Sequence, residues 1–393
     1  MHGDFRDHVT DELFQFVPGT EKELSDFSLG QGITLGKCVE RFQREALDLK
    51  PVTEKTSNKH KALLSHIEAF FGSDTRLIQI SRADCNRFRD TLAKLPPNST
   101  KRGGKNQSLA VIAENNQSDT LAWETQNNYL KMLADLMAWA VRERLVGDNV
   151  ADKIVPLKKR EAAEEQRLPF KKEELEAIFS MPLYTGCVDD ERGFAKVGSN
   201  QPRRSRYWLP LIALFTGMRM GEILQLTPSH IRRSALGTYF FVLTRDMDLK
   251  TYNAEREIPV HPELIRLGFL AWVKGKGQSR AEPLFDDVAA SKFGYRSDTF
   301  TKRFATFLRK VSLPPHRKRK LAFHSFRHTF KDGLNETGAP EEIKDEICGW
   351  SRTKKTGRRY GTGLSADQLK PHMDRLSFGL ELSHLYDFDP ALE

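Results

Sequence analysis

Paired cysteines are missing from this chain. Cys38, Cys85, Cys187 and Cys348 are widely separated, and none has a neighbouring cysteine or histidine at zinc-ligand spacing. That excludes a disulfide scaffold and a zinc finger and leaves free thiols in a reducing compartment. Long apolar runs are missing too, the longest falling far short of the ~20 residues of a membrane span. Met1 to Thr10 is polar and mixed in charge, without the apolar centre of a signal peptide. The chain is therefore expected in the cytoplasm, away from membranes. Acidic residues are in short supply relative to basic ones, 53 against 62, which gives a formal net charge of +9. An excess of that size suits a polyanionic partner such as nucleic acid, although basic proteins without one are common. With 39% hydrophobic and 29% charged residues, the composition supports folded cores rather than general disorder.

A chain of 393 residues exceeds one ordinary core, and two domains are expected. Residues 1–32 have weak periodicity and read as a lead-in segment. From 33 to 152 the pattern is helical: Leu35, Val39, Phe42 and Ala46 recur at helix spacing, as do Leu64, Ile67 and Phe71, then Phe88, Leu92 and Leu95. Ser81 with Asp84 three residues on predicts a helix start. Pro96 to Asp119, rich in Gly, Asn and Gln, reads as a long loop, and Leu130, Leu133, Met137, Ala140 and Val141 mark one face of a further helix. Residues 153–166 are charged, poor in apolar side chains, and read as a linker. From 167 to 385 the pattern is mixed. Helices are expected near Lys171 to Ser180, Tyr207 to Phe215, Met220 to Leu226 and around Phe300 to Val311, with strands at Tyr239 to Thr244 and Arg256 to Val260. The fold class is thus mainly α with a small β-sheet.

Three segments carry candidate chemistry. In Thr216-Gly217-Met218-Arg219-Met220-Gly221-Glu222, Arg219 stands at a turn beside the start of a helix, where free backbone N–H groups and the helix dipole favour an anion. The plain alternative is an arginine paired with Glu222. In His324-Ser325-Phe326-Arg327-His328, His324 and Arg327 share a helical face, which joins a proton-transfer group to a bidentate oxygen binder; His328 reads as a packing residue. Gly349-Trp350-Ser351 is followed by Tyr360 in a segment of Lys, Arg and Gly, where a phenol has basic neighbours that attract a phosphate. Alone, such a tyrosine would read as a DNA-stacking or partly buried residue.

Taken in order, these segments resemble the tyrosine recombinases, the phage integrase family. The resemblance covers most of the chain and implies a SAM-like helical core-binding domain followed by an α+β catalytic domain. It implies Arg219 as the first catalytic arginine and His324 and Arg327 as the His-x-x-Arg pair. Trp350 takes the place where most members carry histidine, and Tyr360 is the nucleophile. A catalytic lysine belongs in a hairpin turn, and Lys250 ahead of the strand at Arg256 fits, with Lys274 and Lys276 as the competing basic residues. The spacing from Trp350 to Tyr360 is one residue longer than the family pattern.

What the family does gives the remaining expectations: cleavage and rejoining of DNA through a 3′-phosphotyrosine, with no cofactor and no metal. The partners would be double-stranded DNA attachment sites, a homotetramer on synapsed DNA, and an accessory DNA-bending or directionality factor, in a nucleoid-associated setting. Basic runs at Arg203 to Arg206, His316 to Lys320 and Arg352 to Arg359 are expected at DNA phosphates, solvated loops being the alternative for the first. Residues 364–385 would pack on a neighbouring protomer or on their own chain. The rival functions are a type IB topoisomerase, disfavoured by the helical domain at 33–152, and a DNA-binding protein without catalysis.

Overall fold

The computed structural model describes residues 32–49, 52–97, 99, 108–157, 167–245, 247, 255–276, 281–349 and 363–386. Its chain divides into two compact units, 1–162 and 163–393.

In the first unit, helices α1 (Leu35–Phe42), α2 (Glu54–Phe71), α3 (Arg82–Leu92), α4 (Leu109–Glu114) and α5 (Trp123–Arg142) close around one apolar core. Their starts follow local chemistry. Thr34, Thr53 and Ser108 each accept a backbone N–H from the first turn of α1, α2 and α4. At α3 the arrangement is reciprocal: the Ser81 N–H donates to Asp84 at 2.8 Å and the Asp84 N–H to Ser81 Oγ at 3.3 Å. α5 supplies Leu130, Leu133, Met137 and Ala140 to the core, as spacing predicts, together with Leu136, while Val141, expected on the same face, is only partly buried. α4 lies inside the stretch expected to be a loop. Leu109, Ile112 and Ala113 bury its inner face, but six residues are too few for a periodic pattern to stand out. At the other end the packing continues past 152: Ile154 joins this core, and the Leu157 N–H donates to Asn127 Oδ1 at 3.0 Å.

The second unit holds α6 (Lys172–Phe179), α7 (Pro182–Thr185), α8 (Ser205–Thr216) and α9 (Met220–Ile223), then strands β1 (Ile231–Arg233), β2 (Tyr239–Leu243) and β3 (Arg256–Pro259). It continues with α10 (Pro262–Arg266), α11 (Phe269–Gly275), α12 (Arg296–Lys310), α13 (Pro315–Lys318), α14 (His324–Glu336), α15 (Glu341–Cys348) and α16 (Ala366–Asp374). The sheet is antiparallel in the order β1-β2-β3, with Phe241 opposite both Ile231 and Ile258. β2 and β3 fall where the sequence puts them. β1 is the addition: three residues, two of them arginines, carry no strand signal of their own and are recruited by pairing with β2.

α8 is buried on every side and is the axial helix of this unit. It packs along α14, and α16 lies against β3. The C-terminal tail packs on its own chain. Leu369, Met373, Leu376, Leu382 and Leu385 are all buried in the second unit's own core, and the Ala366 N–H donates to Glu257 on β3 at 2.8 Å.

Candidate active site

Helix α8 ends on Gly217, which takes a left-handed backbone with φ +64°. A side chain is excluded there twice over, because a Cβ would stand 2.3 Å from the Phe330 ring on α14. Thr216 fixes the same turn: its hydroxyl donates to the Ile212 carbonyl at 2.5 Å and accepts the Met218 N–H at 3.2 Å. The turn delivers Arg219 to the start of α9, where Glu222 accepts both the Arg219 backbone N–H at 2.8 Å and its Nη1 at 2.7 Å. So the plain reading of this segment, an Arg219–Glu222 pair, is correct as geometry. It leaves the rest of the fork available, since Arg219 keeps 23% of its side chain exposed and its Nε and Nη2 have no partner among the described residues.

Arg327 reaches the same place from α14. Ser325 and Thr329 anchor that helix: Ser325 Oγ accepts the Ala322 N–H at 3.1 Å, and Thr329 Oγ1 accepts the Phe170 N–H at 2.8 Å. Arg327 is buried, with Nη1 donating to the Gly217 carbonyl and Nη2 to the Cys348 carbonyl, so one guanidinium ties the end of α8 to the end of α15. Burial, with the nearby charges of Arg219 and Arg256, pushes it down to about 10. His324, one turn earlier on α14, is exposed at the helix start, its ring edge-on to His328 at 4.9 Å. Burial holds the half-exposed His328 imidazole below its ordinary value, in keeping with a packing residue.

A further arginine, unassigned from sequence, completes the cluster. Arg256, the first residue of β3, is buried to the same degree as Glu222, and its Nη2 donates to Glu222 Oε2 at 2.9 Å. Its Nε donates to the Ile347 carbonyl at 2.8 Å. Burial alone would raise the Glu222 carboxyl, but Arg256 and Arg219 outweigh it and hold the group below its ordinary value. Three guanidinium groups from α9, β3 and α14 thus gather around one carboxylate that touches two of them. Positive charge is left over at a partly open position, which is what an incoming phosphate requires.

Gly349 closes α15 with φ +60°, and a Cβ there would lie 2.7 Å from Arg256 Nη1. From that turn the chain proceeds to Trp350 and Tyr360, which, like Lys250, lie outside the described residues. Lys274 and Lys276 do not follow a strand. Lys274 is in the last turn of α11, and Lys276 pairs with Asp286 at 3.2 Å and sits over the Trp272 ring.

The fold of the second unit is the catalytic fold of the tyrosine recombinases. Residues 194–368 match the phage integrase family, so the second unit carries a domain of that family. Among solved structures the integrase of transposon Tn1549, in complex with transposon right end DNA, superposes with a TM-score of 0.52 at 18% identity, covering 81% of this chain and 92% of that one. A lambda integrase dimer bound to a COC' core site gives a TM-score of 0.51 at 15% identity, covering 93% of this chain and 83% of that one. At such identities these two likenesses bear on the fold. No curated protein matches the chain. Among the described residues no helix is long and apolar enough to cross a membrane.

Proposed function

We propose that this site-specific recombinase cleaves DNA with Tyr360 as nucleophile and rejoins it by the reverse step. The Tyr360 oxygen forms a bond to a backbone phosphorus while the bond from phosphorus to the 5′ oxygen breaks. The phenol proton is lost and the leaving 5′ oxygen gains one, for which Lys250 is the donor; His324 accepts a proton or binds the phosphate. Arg219 and Arg327 hold the non-bridging oxygens as charge builds on them, and Trp350 donates one indole hydrogen bond to a phosphate oxygen. One ester is exchanged for another of similar energy, which makes the step reversible.

The observation that carries this reading is the convergence of Arg219 and Arg327 on the Gly217 turn within a family domain. Partners follow from the same reading: duplex DNA bearing attachment sites, a homotetramer on synapsed DNA, and an accessory bending or directionality factor, in the nucleoid. The helical unit binds the core of the attachment site, and the linker to a catalytic domain at 167–385 begins after Leu157, because 153–157 pack with the helical unit.

The test is a nicked suicide substrate drawn from the junctions of the element that encodes the protein, incubated in EDTA with wild type and with Tyr360→Phe. Wild type is expected to give a covalent protein–DNA band on a denaturing gel and the variant none. Tight binding of the junctions without that band from wild type would turn the reading to a DNA-binding protein without catalysis.

A further inference from the structure

Arg256 stands out among the charged groups of the second unit. It is a strand residue with its side chain 1% exposed, and it is joined to two segments distant in sequence. An arginine whose only task was to fill space in a sheet would be replaced by an apolar residue at no loss, since burying an unshared charge is expensive. Here the buried charge is shared. Glu222 Oε2 takes the Arg256 Nη2 bond as well as the Arg219 backbone N–H, while Glu222 Oε1 takes Arg219 Nη1. Arg256 therefore fixes both the ionisation and the rotamer of the carboxylate that aims Arg219. On its other side the Nε–H holds the Ile347 carbonyl, and the guanidinium lies against Gly349, the last described residue before Trp350 and Tyr360.

We infer that Arg256 is a positioning residue for strand cleavage, acting through Glu222 on Arg219 and through the Ile347 carbonyl on the turn from which the Trp350 to Tyr360 segment departs. It touches no substrate. Its fork makes the two bonds from different nitrogens, at an angle that a lysine ammonium does not reproduce. Without it, Glu222 is a buried carboxylate with one cationic partner instead of two, and Arg219 loses a fixed anchor. The inference rests on the recombinase reading for its cleavage readout, and a second readout frees it from that dependence.

The experiment compares wild type, Arg256→Lys, Arg256→Met and the double variant Glu222→Gln/Arg256→Met, the last removing the buried ion pair as a whole, so that no Glu222 carboxylate is left short of a partner. On junction DNA at saturation, single-turnover formation of the covalent complex is expected to fall ~10²-fold in Arg256→Met. The double variant should be equally slow although its melting temperature recovers, and Arg256→Lys should be intermediate. The Kd for DNA should stay within about twofold, because no phosphate contact is removed. The second readout is the rise in melting temperature caused by inorganic sulfate, used as a stand-in for a phosphate. Wild type should show it, and Arg256→Met and the double variant should lose it, as Arg219→Ala does. A folded Arg256→Met or double variant that cleaves at the wild-type rate, or keeps the full sulfate response, overturns the inference. If wild type forms no covalent complex, the phosphotyrosine reading falls on that result alone, and the sulfate response still decides for or against Arg256.

Discussion

Arg327 has two tasks that substitution can separate. Its guanidinium satisfies the Gly217 and Cys348 carbonyls, and in the proposed reaction it also meets a phosphate oxygen. Arg327→Lys keeps the charge and gives up the fork, so it should lower cleavage about 10²- to 10³-fold while stability falls by about 1 kcal/mol. Arg327→Ala removes the donor from both carbonyls and should cost about 2–4 kcal/mol by urea unfolding, along with the activity. Glu222 makes a separate prediction, in pH. Its carboxyl titrates below its ordinary value in the fold, so its contribution to stability is complete above the normal carboxylate range and is lost as pH falls through that range and below it. Between about pH 5 and about pH 3 the urea midpoint of wild type should drop further than that of Glu222→Gln; equal drops would show that the pair carries no linkage. The meeting of Arg219 and Arg327 at the Gly217 turn was legible because each belongs to a short motif whose members are close in sequence. Arg256 was not, because a single arginine at the start of a strand looks like any exposed strand charge, and its carboxylate partner lies on a different element.

Elements were legible where local chemistry and spacing agree. The α3 start was readable because Ser81 and Asp84 satisfy each other's backbone N–H groups, a contact that requires nothing from the rest of the fold. Ser81→Ala should therefore cost about 1 kcal/mol of stability and leave the cleavage rate unchanged, measured by thermal unfolding and by the suicide substrate. The Gly217 turn is the contrasting case, since its geometry depends on α14. A left-handed backbone is needed to end α8, and Phe330 occupies the space beside it. Gly217→Ala is expected to lose more than about 1 kcal/mol from backbone strain alone, with the clash added, and to impair cleavage because the same turn carries Arg219. β1 and α4 escaped sequence reading for one physical reason. Each is shorter than two periods of its own pattern, and each exists through a tertiary partner: β2 for the strand, the first unit's core for the helix.

At the scale of the whole molecule, a net charge of +9 overstates what is free to meet DNA. Several basic residues in the runs expected at phosphates are occupied inside the second unit. Arg203 donates to the Leu267 and Leu385 carbonyls, each at 3.1 Å, and Arg204 Nε to Asp190 at 2.8 Å. Arg206 lies over the Phe194 ring, and Lys318 donates to the Arg309 and Val311 carbonyls, each at 2.8 Å. Arg317 is held by Glu174 and by the Pro169 carbonyl, fastening α13 to α6 and to the segment before it. Arg319, two residues on, is exposed, and among the described residues its side chain makes no hydrogen bond or ion pair, while its carbonyl accepts from Arg167. Arg317 and Arg319 should therefore respond oppositely. Arg317→Ala should lose about 1–3 kcal/mol of stability, because a nearly buried carboxylate loses its partner, while the dependence of log K on log salt for junction DNA keeps its slope. Arg319→Ala should leave unfolding unchanged and reduce that slope by about 0.9, the release expected for one lost phosphate contact. Affinity measured over a salt series, alongside urea unfolding, checks both. If the two variants lower the slope equally, the internal bonds of Arg317 do not survive DNA binding, and the sorting of these basic runs into structural and DNA-facing residues fails.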